Sequence, residues 1–196
     1  MIRRLFSLAL LALLAAGLLA GCSRGGGRTG VPRVLRTAED SLAFWRWRAD
    51  SIDAALGSLE QVRGVLPQGA GNALFTAWFD SGQVRVIHET LDLDRMGSRS
   101  NRYFFERGVP RLALESGRVP FDTTLALHRL DRAMLFDDYG RVVAATKTVD
   151  STKTWVAGYE ASAAVGHAQQ LRTAAQAQRQ SEGSGAPAGG GAPGKK

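Results

Sequence analysis

Cysteine is almost absent from this 196-residue chain, in which Cys22 is the only one. A disulfide within the chain needs two cysteines, so no such bond can hold the fold together. Packing of apolar side chains must therefore stabilise the globular part of the protein, and Cys22 calls for a separate explanation.

The chain also lacks the short motifs that mark several enzyme classes. It contains no G-x-S-x-G nucleophile elbow, no P-loop and no dinucleotide-binding fingerprint, since the glycines at positions 25–27 follow no predicted strand. We therefore expect a protein that is not an enzyme and that binds no cofactor.

Charges of one sign are not gathered together in this chain. The formal net charge is +7, yet acidic and basic residues are interspersed, as in Glu106-Arg107 and Asp131-Arg132. A nucleic-acid-binding protein usually collects its cations on one face or arm. The pattern predicts a solvated surface of mixed sign, no nucleic-acid partner and a mild attraction to anionic lipid head groups.

The N-terminus carries the longest uncharged apolar run. Arg3 and Arg4 precede a Leu- and Ala-rich stretch over residues 5–19. As a helix this stretch is ~22 Å long at about 1.5 Å per residue, shorter than the ~30 Å hydrocarbon core of a bilayer. Its length and flanking charges are typical of a secretory signal peptide.

The end of that run, Leu19-Ala20-Gly21-Cys22, resembles the lipobox of bacterial lipoproteins. The resemblance covers residues 1–22 and implies cleavage between Gly21 and Cys22, with diacylglycerol and palmitate-type acyl chains attached to the Cys22 sulfur. Ser23, in place of an aspartate, implies delivery to the outer membrane, where the protein faces the periplasm or the cell surface. Two or more acyl chains give stable membrane anchoring.

Composition divides the chain into four segments. Residues 1–21 form the predicted signal peptide, and the Gly-rich, basic residues 22–36 form a flexible tether. Residues 37–180 are long enough for a single domain. The Gly-, Ala- and Pro-rich residues 181–196 form a predicted disordered tail.

The domain is predicted to begin with an amphipathic helix. Thr37 and Asp40 approximate a capping box at its start, and the pattern ends near Gly64 and Pro67. Apolar residues recur at steps of three and four: Leu42, Trp45, Ala49, Ile52, Leu56 and Leu59. A coiled-coil partner is one interpretation, but the stripe spans barely three heptads, so we favour packing on a sheet.

Three segments, 76–86, 102–112 and 133–143, share one outline. Each has an apolar strand ending in Phe, then an acid, a short link containing Gly and a second strand. Such a link is typical of a hairpin, because Gly supplies the positive φ of the turn. The repeat predicts an antiparallel meander of about six strands and also resembles, weakly, the MORN-like hairpin repeats of bacterial surface proteins.

The strand patterns carry two further predictions. Val84 and Val86 are expected on one face and Ile87 on the other, which indicates a bulge or a strand covered on both sides. Pro110 cannot donate a ladder hydrogen bond, so it predicts an edge strand.

An Ala-rich helix is expected over residues 155–180, with Asp150-Ser151-Thr152 as its cap and Trp155, Tyr159 and Ala163 on its apolar stripe. Its later turns are expected to fray. Together the patterns predict an α+β fold: the meander, with one helix packed on it at each end of the chain.

Metal-ligating residue types cluster on two predicted strands: His88, Glu89 and Asp92 on one, His128 and Asp131 on the other. A metal site needs three or four convergent ligands, whereas His128 and Asp131 have opposite strand parity. We interpret these residues as polar groups on a solvated sheet face and expect no metal.

Two functions remain open from the sequence. The first is a non-catalytic structural or interaction role, in which the anchored domain holds another envelope protein or a wall polymer. The alternative is a periplasmic carrier that binds an apolar ligand such as a lipid between helix and sheet. A cavity between these elements would favour the second.

Overall fold

A computed structural model describes residues 37–68, 71–121 and 126–184 of the chain. The predicted signal peptide, tether and Cys22 lie outside these residues, as does the part of the predicted tail beyond residue 184. Within them, eight strands and two α-helices follow one another along the chain: α1 (Ala38–Ala55), β1 (Glu60–Gln68), β2 (Gly71–Asp80), β3 (Gln83–Asp92), β4 (Ser98–Glu106), β5 (Val109–Pro120), β6 (Leu127–Phe136), β7 (Val142–Val149), β8 (Thr152–Thr154) and α2 (Gly158–Ser184).

The strands form one antiparallel sheet in which every strand pairs with its neighbours in sequence, from β1 to β8. This confirms the predicted α+β class and the antiparallel meander. The number of strands in the described part of the chain is eight, so the prediction of about six is too low. The two strands beyond the three predicted hairpins are β1 and β8.

Strand β1 occupies residues that the sequence assigned to the N-terminal helix. The helix ends at Ala55, and a 3-10 turn over Leu56–Ser58 leads into β1. Pairing with β2 brings Gly64 against the Phe75 ring, where an added Cβ would overlap the ring. Gly64 therefore fits this close strand contact, whereas the periodicity placed it near the end of a helix.

The start of α1 agrees with its prediction. Thr37 Oγ1 accepts a hydrogen bond from the Asp40 backbone N–H, and the Asp40 side chain accepts one from the Thr37 N–H, which completes a capping box. Leu42, Trp45 and Ala49 are buried against the sheet. The apolar stripe therefore packs on the sheet, as expected.

Each of the three predicted hairpins contains a β-bulge one step before its turn. The register shifts between Trp78 and Phe79, between Phe104 and Phe105, and between Leu135 and Phe136. The first two turns each have two successive residues with positive φ, as a type I′ turn requires. In the β2–β3 turn these angles are 50° at Ser81 and 80° at Gly82.

The bulge in the first hairpin explains the irregular face pattern of β3. Because Arg85 is the extra residue, Val84 packs on the α2 face and Val86 on the α1 face. The predicted bulge and the covering of both faces are confirmed. The assignment of Val84 and Val86 to one face is wrong.

The edge position predicted from Pro110 is also wrong. Pro110 lies in β5, which pairs with both β4 and β6. The proline is tolerated because the pairing of β5 with β6 begins only at Leu112, beyond the bulge.

The two helices cover opposite faces of the sheet. On the α1 face, large side chains pack together: Leu42, Trp45, Val86, Phe104, Leu112 and Leu135. On the α2 face, the sheet side chains meet a helix surface made mainly of alanine: Ala161, Ala164, Ala168, Leu171 and Ala175.

The C-terminal helix differs from its prediction in three respects. Asp150 and Ser151 have φ angles of 48° and 72° and form the β7–β8 turn, so they do not cap a helix. Trp155 and Tyr159 are 75% and 78% exposed, which excludes them from the buried stripe. The later turns do not fray: the helix continues to Ser184, Ala175 is buried, and Arg179 Nε lies 2.7 Å from Glu60 Oε1.

Candidate ligand-binding cavity

A row of polar side chains crosses the α2 face of the sheet. The row is set by strand register, since each member is the cross-strand partner of the next. Its members are Glu89, Asn101, Glu115, Arg132, Lys147 and Thr154, on β3 to β8 in turn. Directly opposed side chains of this kind lie about 5 Å apart at Cβ, so the row is continuous.

The rows on either side of this polar row are mainly apolar. On one side Ile87, Tyr103, Ala113 and Met134 are paired in register, and on the other side Leu91, Arg99, Gly117 and Leu130 are paired. The polar row is buried as well: Glu89 is 1% exposed, and Glu115 and Lys147 are each 8% exposed. Charged side chains are rarely buried so fully unless they have partners.

At the β5–β7 end, the partners are other charged groups. Arg132 hydrogen-bonds to Glu115 through one terminal nitrogen and to Glu160 Oε1, 2.8 Å away, through the other. Lys147 Nζ donates to the same Glu160 oxygen at 2.8 Å. Glu160 lies in the first turn of α2, so this ion network ties the start of that helix to the sheet.

The second oxygen of Glu160 accepts a hydrogen bond of 2.8 Å from the Ala157 N–H, at the residue before α2. Burial opposes ionisation of Glu160, but the hydrogen bonds from Lys147 and Ala157, with the charge of Arg132, hold its pKa below the usual value. Glu160 therefore belongs to the network as a carboxylate.

At the β3–β4 end, the polar row makes a second network with α2. Glu89 accepts hydrogen bonds from Asn101 Nδ2 at 2.7 Å and from His167 Nε2 at 2.6 Å. His167 Nδ1 lies 2.8 Å from Gln68 Nε2. These contacts fit a ring that donates from Nε2 and accepts at Nδ1.

Between the sheet and α2 there is a cavity of about 650 Å³. Every member of the polar row except Glu89 lines this cavity, and three exposed aromatic residues also line it: Phe121, Trp155 and Tyr159. Cavities of this size, apolar with a few convergent polar groups, are typical binding sites for small ligands. The buried face of α2 leaves this space because its side chains are mainly alanine.

Three buried polar atoms of residues in the lining have no hydrogen-bond partner among the described residues: Glu115 Oε1, Arg132 Nε and Arg99 Nε. Arg99 approaches Glu115 Oε1 to 3.5 Å as an ion pair but without hydrogen-bond geometry. Burial, together with the charges of Glu89 and Glu115, raises the pKa of Tyr103, so its phenol stays protonated.

The metal-ligating residue types singled out from the sequence are not brought together. His88 lies near Asp53 and Trp78, and burial lowers the pKa of His88 despite the opposing charge of Asp53. Glu89 belongs to the polar row instead. In the described ranges no cluster of three or more His, Cys, Asp or Glu residues could hold a metal ion.

The remaining three metal candidates bind neighbours in turns and strands. Asp92 accepts a hydrogen bond from the Asp94 N–H, and Asp131 accepts one from Arg129 at 2.9 Å. His128 lies 2.5 Å from Asp150, and this hydrogen bond lowers the pKa of Asp150.

Sequence reasoning missed the residues of the polar row, apart from Glu89. Each strand contributes only one polar residue to the buried row. One polar residue in an otherwise ordinary strand does not indicate a buried site. A charge flanked by apolar residues at i−2 and i+2, as Glu89 is by Ile87 and Leu91, is the signal that could have found it.

Three comparisons bear on identity. The sequence matches no protein-family profile, and searches of curated proteins and of solved structures also gave no match. In the part of the chain that the structure describes, no helix has the length and hydropathy needed to cross a membrane. The fold and the cavity define a helix-covered antiparallel meander with a buried polar site.

Proposed function

We propose that this protein is an extracytoplasmic lipoprotein, anchored to the outer membrane through lipid on Cys22, that binds a small amphiphilic ligand between α2 and the sheet. The observation that carries the proposal is the cavity of about 650 Å³ with charged groups in its lining. The proposed role is binding without catalysis, and it develops the carrier hypothesis.

The lining supports an amphiphile over a purely apolar ligand. The rows beside the polar row supply apolar surface, and Phe121, Trp155 and Tyr159 supply exposed aromatic surface. Arg132, Lys147 and Glu115 place charged groups in the lining, and a hydrocarbon alone would lie against them without making hydrogen bonds. A ligand with an apolar body and a polar head matches both parts of the lining.

Native mass spectrometry of the mature protein with Cys22 replaced by serine tests the binding role. We expect a co-purified or added amphiphile to remain bound to this protein. Ala163 lines the cavity from an exposed position on α2, so Ala163→Trp should fill the opening and abolish binding. Ser162→Trp, at the adjacent exposed position outside the lining, should retain it. Equal binding by both variants would contradict the proposal.

Metabolic labelling with a palmitate analogue tests the anchor. The expected result is labelled wild-type protein in the membrane fraction and unlabelled Cys22→Ser protein outside it, because only the cysteine sulfur can be alkylated. Labelling that persists in Cys22→Ser would contradict the proposed site.

A second candidate, an interaction with an envelope protein or wall polymer, is supported by a groove of about 400 Å³ beside α1. Phe44, Trp47 and Ile52 contribute to its lining, and Trp47 is 38% exposed. Crosslinking in envelopes should then yield one specific partner that is lost in Trp47→Ala. If the same proteins are captured by both forms, this candidate fails.

A further inference from the structure

The charged groups of the cavity lining already pair with one another. Arg132 pairs with both Glu115 and Glu160, and Lys147 contacts the Glu160 oxygen that Arg132 also contacts. Arg99 is the most exposed of these side chains, at 41%, and it lies 3.5 Å from Glu115. A charged ligand would have to compete with these buried ion pairs and would lose its own hydration in doing so. The lining therefore favours an uncharged polar group on the ligand.

Three of the more accessible polar groups of the lining are neutral. Thr154 and Gln68 line the cavity from half-buried positions, and Tyr159 lines it from a position that is 78% exposed. The two hydroxyl groups can each donate and accept a hydrogen bond. Gln68 Nε2 lies 2.8 Å from His167 Nδ1, which leaves the amide oxygen of Gln68 as an acceptor. Hydroxyl groups on a ligand match all three, because a hydroxyl also donates and accepts.

Three exposed aromatic rings also line the cavity. Phe121 is 52% exposed, Trp155 is 75% exposed and Tyr159 is 78% exposed. Exposed large apolar side chains that cluster mark an interaction site, whereas single ones need no explanation. The face of an aromatic ring is electron-rich and attracts the weakly positive hydrogens of C–H groups. These rings therefore suit a ligand that presents a flat C–H surface.

We propose that the cavity recognises an uncharged sugar, whose C–H face stacks on the exposed aromatic rings while its hydroxyl groups bond to the neutral polar groups of the lining. This inference rests on the proposed ligand-binding function and names the polar head of its amphiphile as a glycosyl group. Sugars also occur without an apolar chain, so the experiment below separates the glycosyl chemistry from its source.

Other ligand heads match this lining less completely. An acyl chain without a head would cover the aromatic rings and separate the hydroxyl groups of Thr154 and Tyr159 from water without giving them hydrogen bonds, which costs free energy. A charged head meets side chains whose charges are already paired, as Arg99 is with Glu115. A pyranose ring combines a C–H face with a rim of hydroxyl groups, so it meets both requirements.

The apolar part of the amphiphile is assigned to the aliphatic side chains of the lining. Leu91, Val119 and Leu130 line the cavity from the sheet, and Ala163 and Ala164 line it from α2. Burial of methylene groups against such side chains contributes about 0.8 kcal/mol for each group. A chain bound there adds affinity that a free sugar lacks.

Isothermal titration calorimetry of the mature protein with Cys22 replaced by serine tests the inference with four probes, each kept below its micelle concentration. Octyl glucoside, octyl sulfate and octyltrimethylammonium share one chain and differ in the charge of the head. Methyl glucoside has the sugar without the chain. We expect octyl glucoside to bind about tenfold or more tightly than either charged probe, since the charged heads lack the hydroxyl groups that bond to the lining. Equal affinity for the octyl probes, or a preference for a charged one, would overturn the inference.

Two threonines of β8 provide a matched test of the hydrogen bonds. Thr154 lines the cavity, whereas Thr152 is exposed on the same strand outside the lining. Thr154→Val removes the hydroxyl at nearly constant shape, so it should weaken octyl glucoside binding about fivefold and change octyl sulfate binding by about twofold or less. Thr152→Val should change neither. Equal loss of octyl glucoside binding in both variants would overturn the assignment.

Trp155 tests the stacking contact. Trp155→Ala should weaken octyl glucoside binding about tenfold, whereas Trp155→Phe keeps an aromatic face and should weaken it about threefold or less. Trp47→Ala, at an exposed tryptophan outside the cavity, should leave the affinity unchanged. If alanine and phenylalanine at position 155 reduce the affinity equally, the stacking assignment is wrong. If Trp155→Ala fails to fold, the threonine pair and the wild-type comparison still decide the inference.

The outcomes separate this inference from the function on which it rests. Binding of the three octyl probes with equal affinity would leave the proposed binding function intact and overturn the sugar. Binding of methyl glucoside as tightly as octyl glucoside would support the sugar and contradict the amphiphile. Failure of all four probes to bind, with no ligand found by native mass spectrometry, would overturn both.

Discussion

The two faces of the sheet are covered by helices of different kinds. Helix α1 brings Leu42 and Trp45 against Phe104, Leu112 and Leu135, and this cluster consists of buried apolar residues. Helix α2 presents mainly alanine, and part of the sheet beneath it carries a buried charged row beside a cavity. The α2 face of the sheet also carries large buried side chains, such as Phe79, Ile87 and Met134, but the charged row and the cavity lie beside them.

The difference indicates that the two faces of the sheet have different functions. Close packing of large apolar side chains is the main source of stability in a domain without disulfides. Buried ion pairs often contribute no more net stability than apolar residues of similar volume. We therefore assign ligand binding to the α2 face, where the charged row and the cavity lie, and a purely stabilising role to the α1 face. Four changes test that assignment.

The largest effect is expected from the removal of a large buried side chain on the α1 face. Phe104 is fully buried on the α1 face, so Phe104→Ala should lower the free energy of unfolding by about 3–5 kcal/mol in urea denaturation. Phe121, which is 52% exposed, is the control, and Phe121→Ala should cost less than about 1 kcal/mol. Similar losses in both variants would contradict the stabilising role of the α1 face.

The second effect concerns the charged row. Arg132→Met removes the cation between Glu115 and Glu160 and should cost about 3 kcal/mol, because buried carboxylates lose a partner. Adding Glu115→Leu should recover much of that loss in the same urea titration, while ligand binding stays absent. If the double variant is less stable than the single one, the row is a stabilising device and the assignment is wrong.

The third effect is at the start of α1. Thr37→Ala removes the capping-box acceptor for the Asp40 N–H and should lower the free energy of unfolding by about 1 kcal/mol. Thr37→Ser keeps a hydroxyl and should cost little. Ligand affinity, measured by calorimetry, should be the same in both variants because this helix covers the other face.

The smallest effect is the pH dependence from Glu160. Its folded pKa is depressed, so its contribution to stability is present above the unfolded value near 4.5 and is lost as pH falls through the folded value. The effect is small because burial partly cancels the influence of Lys147 and Arg132. Urea titrations below pH 4.5 should show a weaker dependence on pH in Glu160→Gln, and an unchanged dependence would contradict the ion network.

Local signals predicted the hairpins and the start of α1. The Thr37 capping box, the apolar stripe of Leu42, Trp45 and Ala49, and the glycine turns depend on neighbours within a few residues, and the structure confirms them. Strand β1 could not be found in this way, because the helical spacing of Leu56 and Leu59 continued into residues that a partner strand stabilises.

The candidate site depends on register between distant strands. Glu89, Arg132 and Lys147 become neighbours in one row only after bulges and turn lengths have fixed how six strands align. The sequence pattern also did not reveal that alanines form the buried face of α2. The large Trp155 and Tyr159 dominated the apolar pattern, but both are exposed in the structure. Sequence therefore predicted the scaffold better than the site.

Hydrogen exchange measured by mass spectrometry, with and without an added single-chain lysophospholipid as the amphiphile, compares the two faces in one experiment. Ligand in the cavity should slow exchange in the first turns of α2, from Gly158 to Leu171, and in β4 to β7, while α1 stays unchanged. Protection confined to α1, or none on α2 at saturating ligand, would contradict the assignment of binding to the α2 face.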